Sequence, residues 1–159
     1  MSEFQKLNIP SAKLKLTKRS VQPSGTTVYY VWDEFRNKKV KLTPEEWVRQ
    51  HFLHYLVNYY NYSKGFIGVE LGINVNKLNR RCDAVVFDKT GVPLMIVECK
   101  APDVPLTEKT LHQIASYNFK LQVNWLVLTN GLKTVVCFIN AEEKSIDYLE
   151  VIPNYKDLS

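Results

Sequence analysis

The apolar run Leu94-Met95-Ile96-Val97 passes without a break into Glu98-Cys99-Lys100, and this change constrains the chain more than any other feature. The run reads as a buried strand. Side chains alternate along a strand, so Glu98 and Lys100 share one face and Cys99 points to the other. Charged groups at the end of a buried strand are costly unless they are paired or bind a metal.

A partner for Glu98 is close in the sequence. Asp88-Lys89-Thr90-Gly91 reads as a hairpin turn between strands Arg81 to Phe87 and Pro93 to Lys100. A turn centred on Thr90-Gly91 sets Asp83 opposite Glu98, with Cβ atoms about 5 Å apart. Two carboxylates so placed call for a cation. Mg²⁺ fits, because it prefers hard oxygen ligands and keeps several waters; Mn²⁺ is the natural substitute. The same register puts Arg81 opposite Lys100 and Cys82 opposite Cys99 as small core residues. A slip of one residue would undo all of these pairings.

A metal held by Asp83 and Glu98 would lower the pKa of a bound water and neutralise charge on a phosphodiester. The backbone carbonyl of Cys99 is a further candidate ligand. Lys100 is placed to orient the attacking water or to stabilise charge on phosphorus. The reaction expected is phosphodiester hydrolysis. On spacing alone, a structural salt bridge at a strand end explains the same three residues.

Elsewhere the pattern predicts helix, three strands, helix, two strands. Thr43-Pro44-Glu45-Glu46 is a helix start, with Thr43 as cap, Pro44 at the first position and Glu46 completing a capping box. Val48, Phe52, Tyr55, Leu56 and Tyr59 recur at helical spacing and predict a core-facing stripe that fades near Asn61 to Gly65. Phe66 to Leu71 is the first strand after it, with Glu70 pointing away from Val69 and Leu71. A second helix is expected over Thr107 to Leu121. Strands Asn124 to Thr129 and Lys133 to Ile139 follow, joined by an Asn130-Gly131 turn.

Residues 1–42 read as an N-terminal extension of short strands, with Lys13 to Leu16 alternating, a turn at Gln22 to Gly25 and a strand at Val28 to Trp32. Arg36, Lys38, Lys39 and Lys41 form either a solvated edge or a phosphate-contacting patch. Residues 43–140 are the expected core and 141–159 a C-terminal tail of one domain.

The net charge of +5 suits a polyanionic partner. No apolar run approaches the roughly 20 residues that span a bilayer, and the start lacks a signal-peptide apolar segment. A cytoplasmic protein with no membrane contact is expected. Three cysteines without a CxxC pair suggest reduced thiols and no structural zinc. His51 and His54 have ligand-like spacing but no Cys or His partners nearby, and read as surface or partly buried residues. His112 is a residue that could touch a phosphate. Tyr59, Tyr60 and Tyr62 read as packing residues, with base stacking as the alternative.

Four blocks carry a resemblance: Leu42 to Gln50, Arg80 to Asp83, Ile96 to Pro102, and Gln113-Ile114-Ala115-Ser116-Tyr117. With Thr129-Asn130-Gly131 they span about residues 42–131. The sequence resembles the N-terminal nuclease domain of type I restriction enzyme R subunits, within the PD-(D/E)xK superfamily. That resemblance implies an α/β fold with a restriction-endonuclease-like αβββαβ core, a mixed central sheet flanked by helices, and Mg²⁺-dependent cleavage of DNA. Asp83 and Glu98 match the metal-binding acids, and Lys100 the catalytic lysine. Gln113 and Tyr117 match a QxxxY pair associated with substrate contact or site support, and their spacing puts them on one helix face. A helix glutamate often joins such a metal shell. Glu46 is a candidate for that role, and Glu70 on the first strand is another.

Restriction R subunits carry a translocase motor, whereas this sequence has no GxxxxGK[ST] phosphate loop. A stand-alone homologue or an excised domain is expected. Motor and specificity subunits or a homodimer partner are the candidate protein partners. Two rival readings stand: a non-catalytic nucleic-acid-binding or assembly module with a vestigial site, and a protein-binding scaffold.

Overall fold

The computed structural model describes residues 4–75 and 77–159. The N-terminal extension is a three-stranded antiparallel sheet of β1 (Leu16–Val21), β2 (Thr26–Asp33) and β3 (Lys38–Lys41). Lys13 to Lys15 precede the first strand rather than belonging to it, although Leu14 and Leu16 are half-buried and Lys13 and Lys15 exposed, as the alternation implied. The turn at Gln22 to Gly25 is present, with Gly25 at φ +69.

Helix α1 (Pro44–Tyr60) starts where the sequence places it. The Thr43 hydroxyl accepts from the Glu46 N–H at 3.1 Å. The second half of the capping box does not form, because arginines take the Glu46 carboxylate. The helix ends at Asn61 in a left-handed conformation, φ +61, which stops propagation and lets Asn satisfy the terminus. Val48, Phe52 and Leu56 are fully buried, but Tyr55 is half-buried and Tyr59 is 61% exposed. The apolar stripe therefore stops a turn earlier than the periodicity suggests. His51 and His54, expected at the surface or partly buried, are buried. The His51 Nδ1 lies 2.9 Å from the Trp47 carbonyl, and the His54 ring meets the Phe35 edge.

The main sheet has six strands in sequence order: β4 (Ile67–Val75), β5 (Leu78–Phe87), β6 (Pro93–Cys99), β7 (Trp125–Thr129), β8 (Thr134–Asn140) and β9 (Ser145–Leu149). All neighbours are antiparallel except β6 and β7, which helix α2 (Glu108–Leu121) connects in parallel. The Asn130-Gly131 turn holds Gly131 at φ +81, and Leu7 packs where a Cβ would stand. The order of elements from α1 onward agrees with expectation up to β8.

The two helices cover opposite faces of the sheet. Val48, Phe52 and Leu56 of α1 pack with Ala84, Val86, Met95, Val97 and Val127. Leu111, Ile114, Ala115 and Leu121 of α2 pack with Val85, Ile96, Leu126 and Leu128. Each fully buried Leu, Val or Phe contributes about 1.5–3 kcal/mol. Residues 141–159 are no free tail. They form β9, bury Ile152 and Leu158 in the α1-side core, and accept a 3.0 Å bond at the Leu158 carbonyl from the Trp125 indole. Among the described residues no helix is long and apolar enough to cross a membrane.

The alternation of β4 and β5 reverses at one point. Val69 and Ala84 pack on the α1 side, whereas Ile73 and Cys82 pack on the α2 side. Between them Glu70 takes a left-handed conformation, φ +53, and the pair Glu70 and Asp83 drops out of an otherwise continuous register. Leu71, expected beside Val69, is 42% exposed as a result. Cys82 and Cys99, expected as neighbours on one face, lie in the two different cores; both are buried free thiols.

Candidate active site

The β5–β6 ladder has the predicted register, pairing Ala84 with Val97, Val85 with Ile96 and Val86 with Met95. It ends one residue short of Asp83 and Glu98. There the Asp83 carboxylate takes the place of a backbone acceptor: its Oδ2 receives the Cys99 N–H at 2.8 Å. Asp83 is therefore anchored to the residue between Glu98 and Lys100, at the mouth where the strands part.

Glu98 is buried, 7% exposed. It pairs with Leu128 across the parallel ladder, and alternation puts it with Ile96 on the α2 side. Lys100 is half-buried, and its N–H donates to the Thr129 carbonyl at 2.8 Å, which extends the parallel pairing one step beyond β6. Burial pushes the Cys99 thiol well up, with the Asp83 charge adding to it. That thiol stays protonated and is no nucleophile.

The remaining neighbours come from α1. Arg49 reaches Glu45 at 3.2 Å, Asp83 at 3.3 Å and Glu70 at 3.6 Å, and also pairs with Glu46. Burial opposes its charge, but Glu46 and then Asp83 outweigh burial and hold the guanidinium pKa above its ordinary value. Glu46 additionally accepts from Arg36 at 2.5 Å and from the Gln50 amide at 2.9 Å. Glu70 accepts from Arg36 at 3.0 Å and Arg81 at 3.2 Å. Arg36 also pairs with the fully buried Asp33. Its cluster reads as either a solvated edge or a phosphate-contacting patch, and the structure makes Arg36 neither: it is a half-buried tie between the N-terminal sheet, α1 and β4. Arg81, expected opposite Lys100, pairs with Glu70 instead.

Glu45 stands apart from Glu46. Burial raises its pKa, and the Asp83 charge raises it further, while Arg49 and Lys100 lower it. Glu45 is thus the helix acid within electrostatic reach of both Asp83 and Lys100. Sequence reasoning singled out Glu46 and missed both Glu45 and Arg49. The signal was present, since Arg49 follows the two glutamates by four and three residues, the spacing of helix ion pairs.

Gln113 is exposed on α2, and Tyr117 is half-buried against the α2-side core with the Lys120 ammonium 5.9 Å from its ring. The structure brings Asp83, Glu45 and Arg49 together, with Lys100 in electrostatic reach of Glu45, while Glu98 lies on the α2 side of the sheet. Gln113 and Tyr117 stand on the other helix, and His112 is exposed beside them. Tyr62 is buried, donating to the Pro153 carbonyl at 3.0 Å, and Tyr60 meets the Tyr55 hydroxyl at 3.1 Å, which pushes its pKa up to about 12. Both are packing residues.

Comparison with known proteins follows the same lines. No curated protein matches the sequence. Among solved structures, the chain is similar to a fragment described as an HsdR subunit of a type I restriction enzyme from Vibrio vulnificus YJ016, with a TM-score of 0.53 and 14% identity. The match covers 74% of this chain and 24% of that one, so this chain spans about a quarter of its relative's length. At that identity the likeness speaks for the fold. The family model for the type I restriction enzyme R protein N terminus matches residues 44–153, from the first turn of α1 to beyond β9. The chain belongs to the family of type I restriction enzyme R protein N-terminal domains.

Proposed function

We propose that this domain is a Mg²⁺-dependent DNA endonuclease of the PD-(D/E)xK type, in which Asp83, Glu98 and Lys100 carry phosphodiester hydrolysis. The observation that supports it most is the seat of Asp83. Its carboxylate is held on the Cys99 N–H at 2.8 Å, between Glu98 and Lys100. Membership of a restriction-enzyme family supports the substrate, DNA.

Asp83, Glu98 and the Cys99 carbonyl are hard oxygen donors, few enough to suit an ion that retains several waters. Mn²⁺ would accept the same donors. The bound ion would acidify a water and neutralise charge on the scissile phosphate. Lys100 orients the attacking water or stabilises the developing phosphoryl charge. Glu45 is the helix glutamate most available to the site, because Arg49 holds it at 3.2 Å, whereas Arg36, Arg49 and Gln50 together occupy Glu46, and Arg36, Arg49 and Arg81 surround Glu70. Arg49 holds the acids together before substrate arrives. Gln113 and Tyr117 are assigned to substrate contact or site support. Motor and specificity subunits, or a second copy, are the protein partners this reading implies.

Plasmid cleavage with Mg²⁺ tests the assignment. Asp83→Ala and Lys100→Ala should each lower the rate by about 10²–10³-fold, the usual loss when a group that stabilises the transition state is removed. Equal cleavage by native protein and both variants refutes these roles.

One observation favours a second reading. Arg49 already contacts Asp83, and among the described residues no three His, Cys, Asp or Glu side chains gather where they could hold a metal. A vestigial site on a nucleic-acid-binding module accommodates both facts. DNA binding without cutting of any DNA form, in Mg²⁺ or Mn²⁺, selects that reading.

A further inference from the structure

The N-terminal sheet has an inner and an outer face of different character. Register puts Leu16, Val31 and Val40 side by side, and Val31 is fully buried. Tyr29 and Asp33 alternate onto that same face, where Tyr29 meets the Phe4 ring and Asp33 is buried with Arg36. This face is anchored to the rest of the molecule.

The opposite face is set by the pairs Arg19 with Val28, Tyr30 with Lys41, and Trp32 with Lys39. Trp32 is 42% exposed and Tyr30 half-buried, and Arg19, Lys39 and Lys41 are exposed. The Lys39 ammonium lies 5.6 Å from the centre of the Tyr30 ring, which places cation and aromatic on one surface. A shallow recess beside Tyr30 is lined by Arg19, Ser20, Val21 and Gln22. Within residues 16–41 the acids are Asp33, which is buried, and Glu34, which pairs with Lys64.

We propose that this outer face binds single-stranded nucleic acid, with Tyr30 and Trp32 as stacking surfaces and Arg19, Lys39 and Lys41 as phosphate contacts. Charge and geometry both select this occupant. Tyr30 and Trp32 are two residues apart on the central strand, so their side chains rise about 7 Å apart. That is roughly twice the stacked spacing of bases in a duplex, about 3.4 Å. Successive bases can therefore stack on both rings only when the strand is extended and unpaired. Lys41 and Lys39 stand directly opposite Tyr30 and Trp32 on β3, about 5 Å to the side, and on β1 Arg19 stands opposite Val28 and shares the recess with Tyr30, where a backbone running along the row would pass. Every base offers a π face, so binding is tolerant of sequence. The family match begins at residue 44, so this surface precedes the matched region.

The test uses the 159-residue protein and a fluorescein-labelled oligothymidylate of about 20 nucleotides, read by fluorescence anisotropy at several salt concentrations without divalent metal. Trp32→Ala should weaken binding about tenfold, the scale of one lost base–aromatic stack. Lys39→Ala with Lys41→Ala should reduce the slope of log K against log salt by about 0.7 for each lost phosphate contact. Lys89→Ala, in the exposed turn between β5 and β6, should bind as native, which separates this surface from a general loss of positive charge. Thermal unfolding of each variant checks the fold, and Trp32→Phe, which keeps a ring, should retain most of the affinity. Unchanged binding in the Trp32 and lysine variants overturns the proposal. So does tighter binding to a duplex of the same length that is indifferent to Trp32, and so does the absence of any binding at low salt.

Discussion

His51 and His54 show how burial makes a residue's charge a liability. Burial lowers both imidazole pKa values below the usual histidine range, in spite of the Trp47 carbonyl beside His51 and the Glu34 charge near His54. The folded state thus binds protons less readily than the unfolded chain. Stability is complete above the unfolded pKa, about 6.5, and is lost as pH falls through that value toward the lower folded one. Each histidine adds up to about 1.4 kcal/mol per pH unit over that window. In urea unfolding between pH 7 and 5, His51→Gln with His54→Gln should lose stability less steeply than the native chain. Parallel losses in the two proteins refute the account. Neither burial was legible beforehand, because His is as often superficial as buried, and only the packing of Trp47 and Phe35 decides. The register of the β5–β6 hairpin was legible, since turn chemistry sets it. Arg49 was not singled out, because an arginine between two helix turns reads as surface until its four carboxylate partners are assembled.

Elements with strong local signals appear where the sequence puts them. Thr43-Pro44 starts α1, and Thr107 caps α2 by accepting the Thr110 N–H at 3.2 Å. Strands without a distinctive pattern were hidden. Lys38–Lys41 carries three lysines in four residues, and its place in a sheet comes from pairing with β2. Ser145–Leu149 is short and polar enough to read as tail, and pairing with β8 makes it a strand. At the end of α2, Gln122 is left-handed, φ +57, and exposed, with its N–H closing the helix on the Asn118 and Phe119 carbonyls. An L-residue there costs about 1–2 kcal/mol that glycine avoids, less the greater freedom glycine has when unfolded. Gln122→Gly should raise stability by about 0.5–1 kcal/mol in denaturant unfolding. A loss of stability refutes the strain assigned to that position.

Across the whole molecule, distant segments close the core. Leu7 packs over the Gly131 turn, and Ile152 and Leu158 fill the α1-side core from the far end of the chain. The Tyr155 hydroxyl donates to the Phe87 carbonyl at 2.8 Å, and Pro153 accepts from Tyr62 at 3.0 Å. A chain ending at Asn140 would leave those contacts open and expose Trp125. It should lose cooperative unfolding, or melt at least 10 °C lower, which circular dichroism will read. Unchanged melting would mean that the last 19 residues only decorate the core. The reversal at Glu70 and Asp83 has a mechanical consequence. The side chains of the hairpin change faces at that point, so the acid stands at the step between Ile73 and Cys82 in one core and Val69 and Ala84 in the other. Packing on both faces of the sheet therefore bears on the seat of one carboxylate.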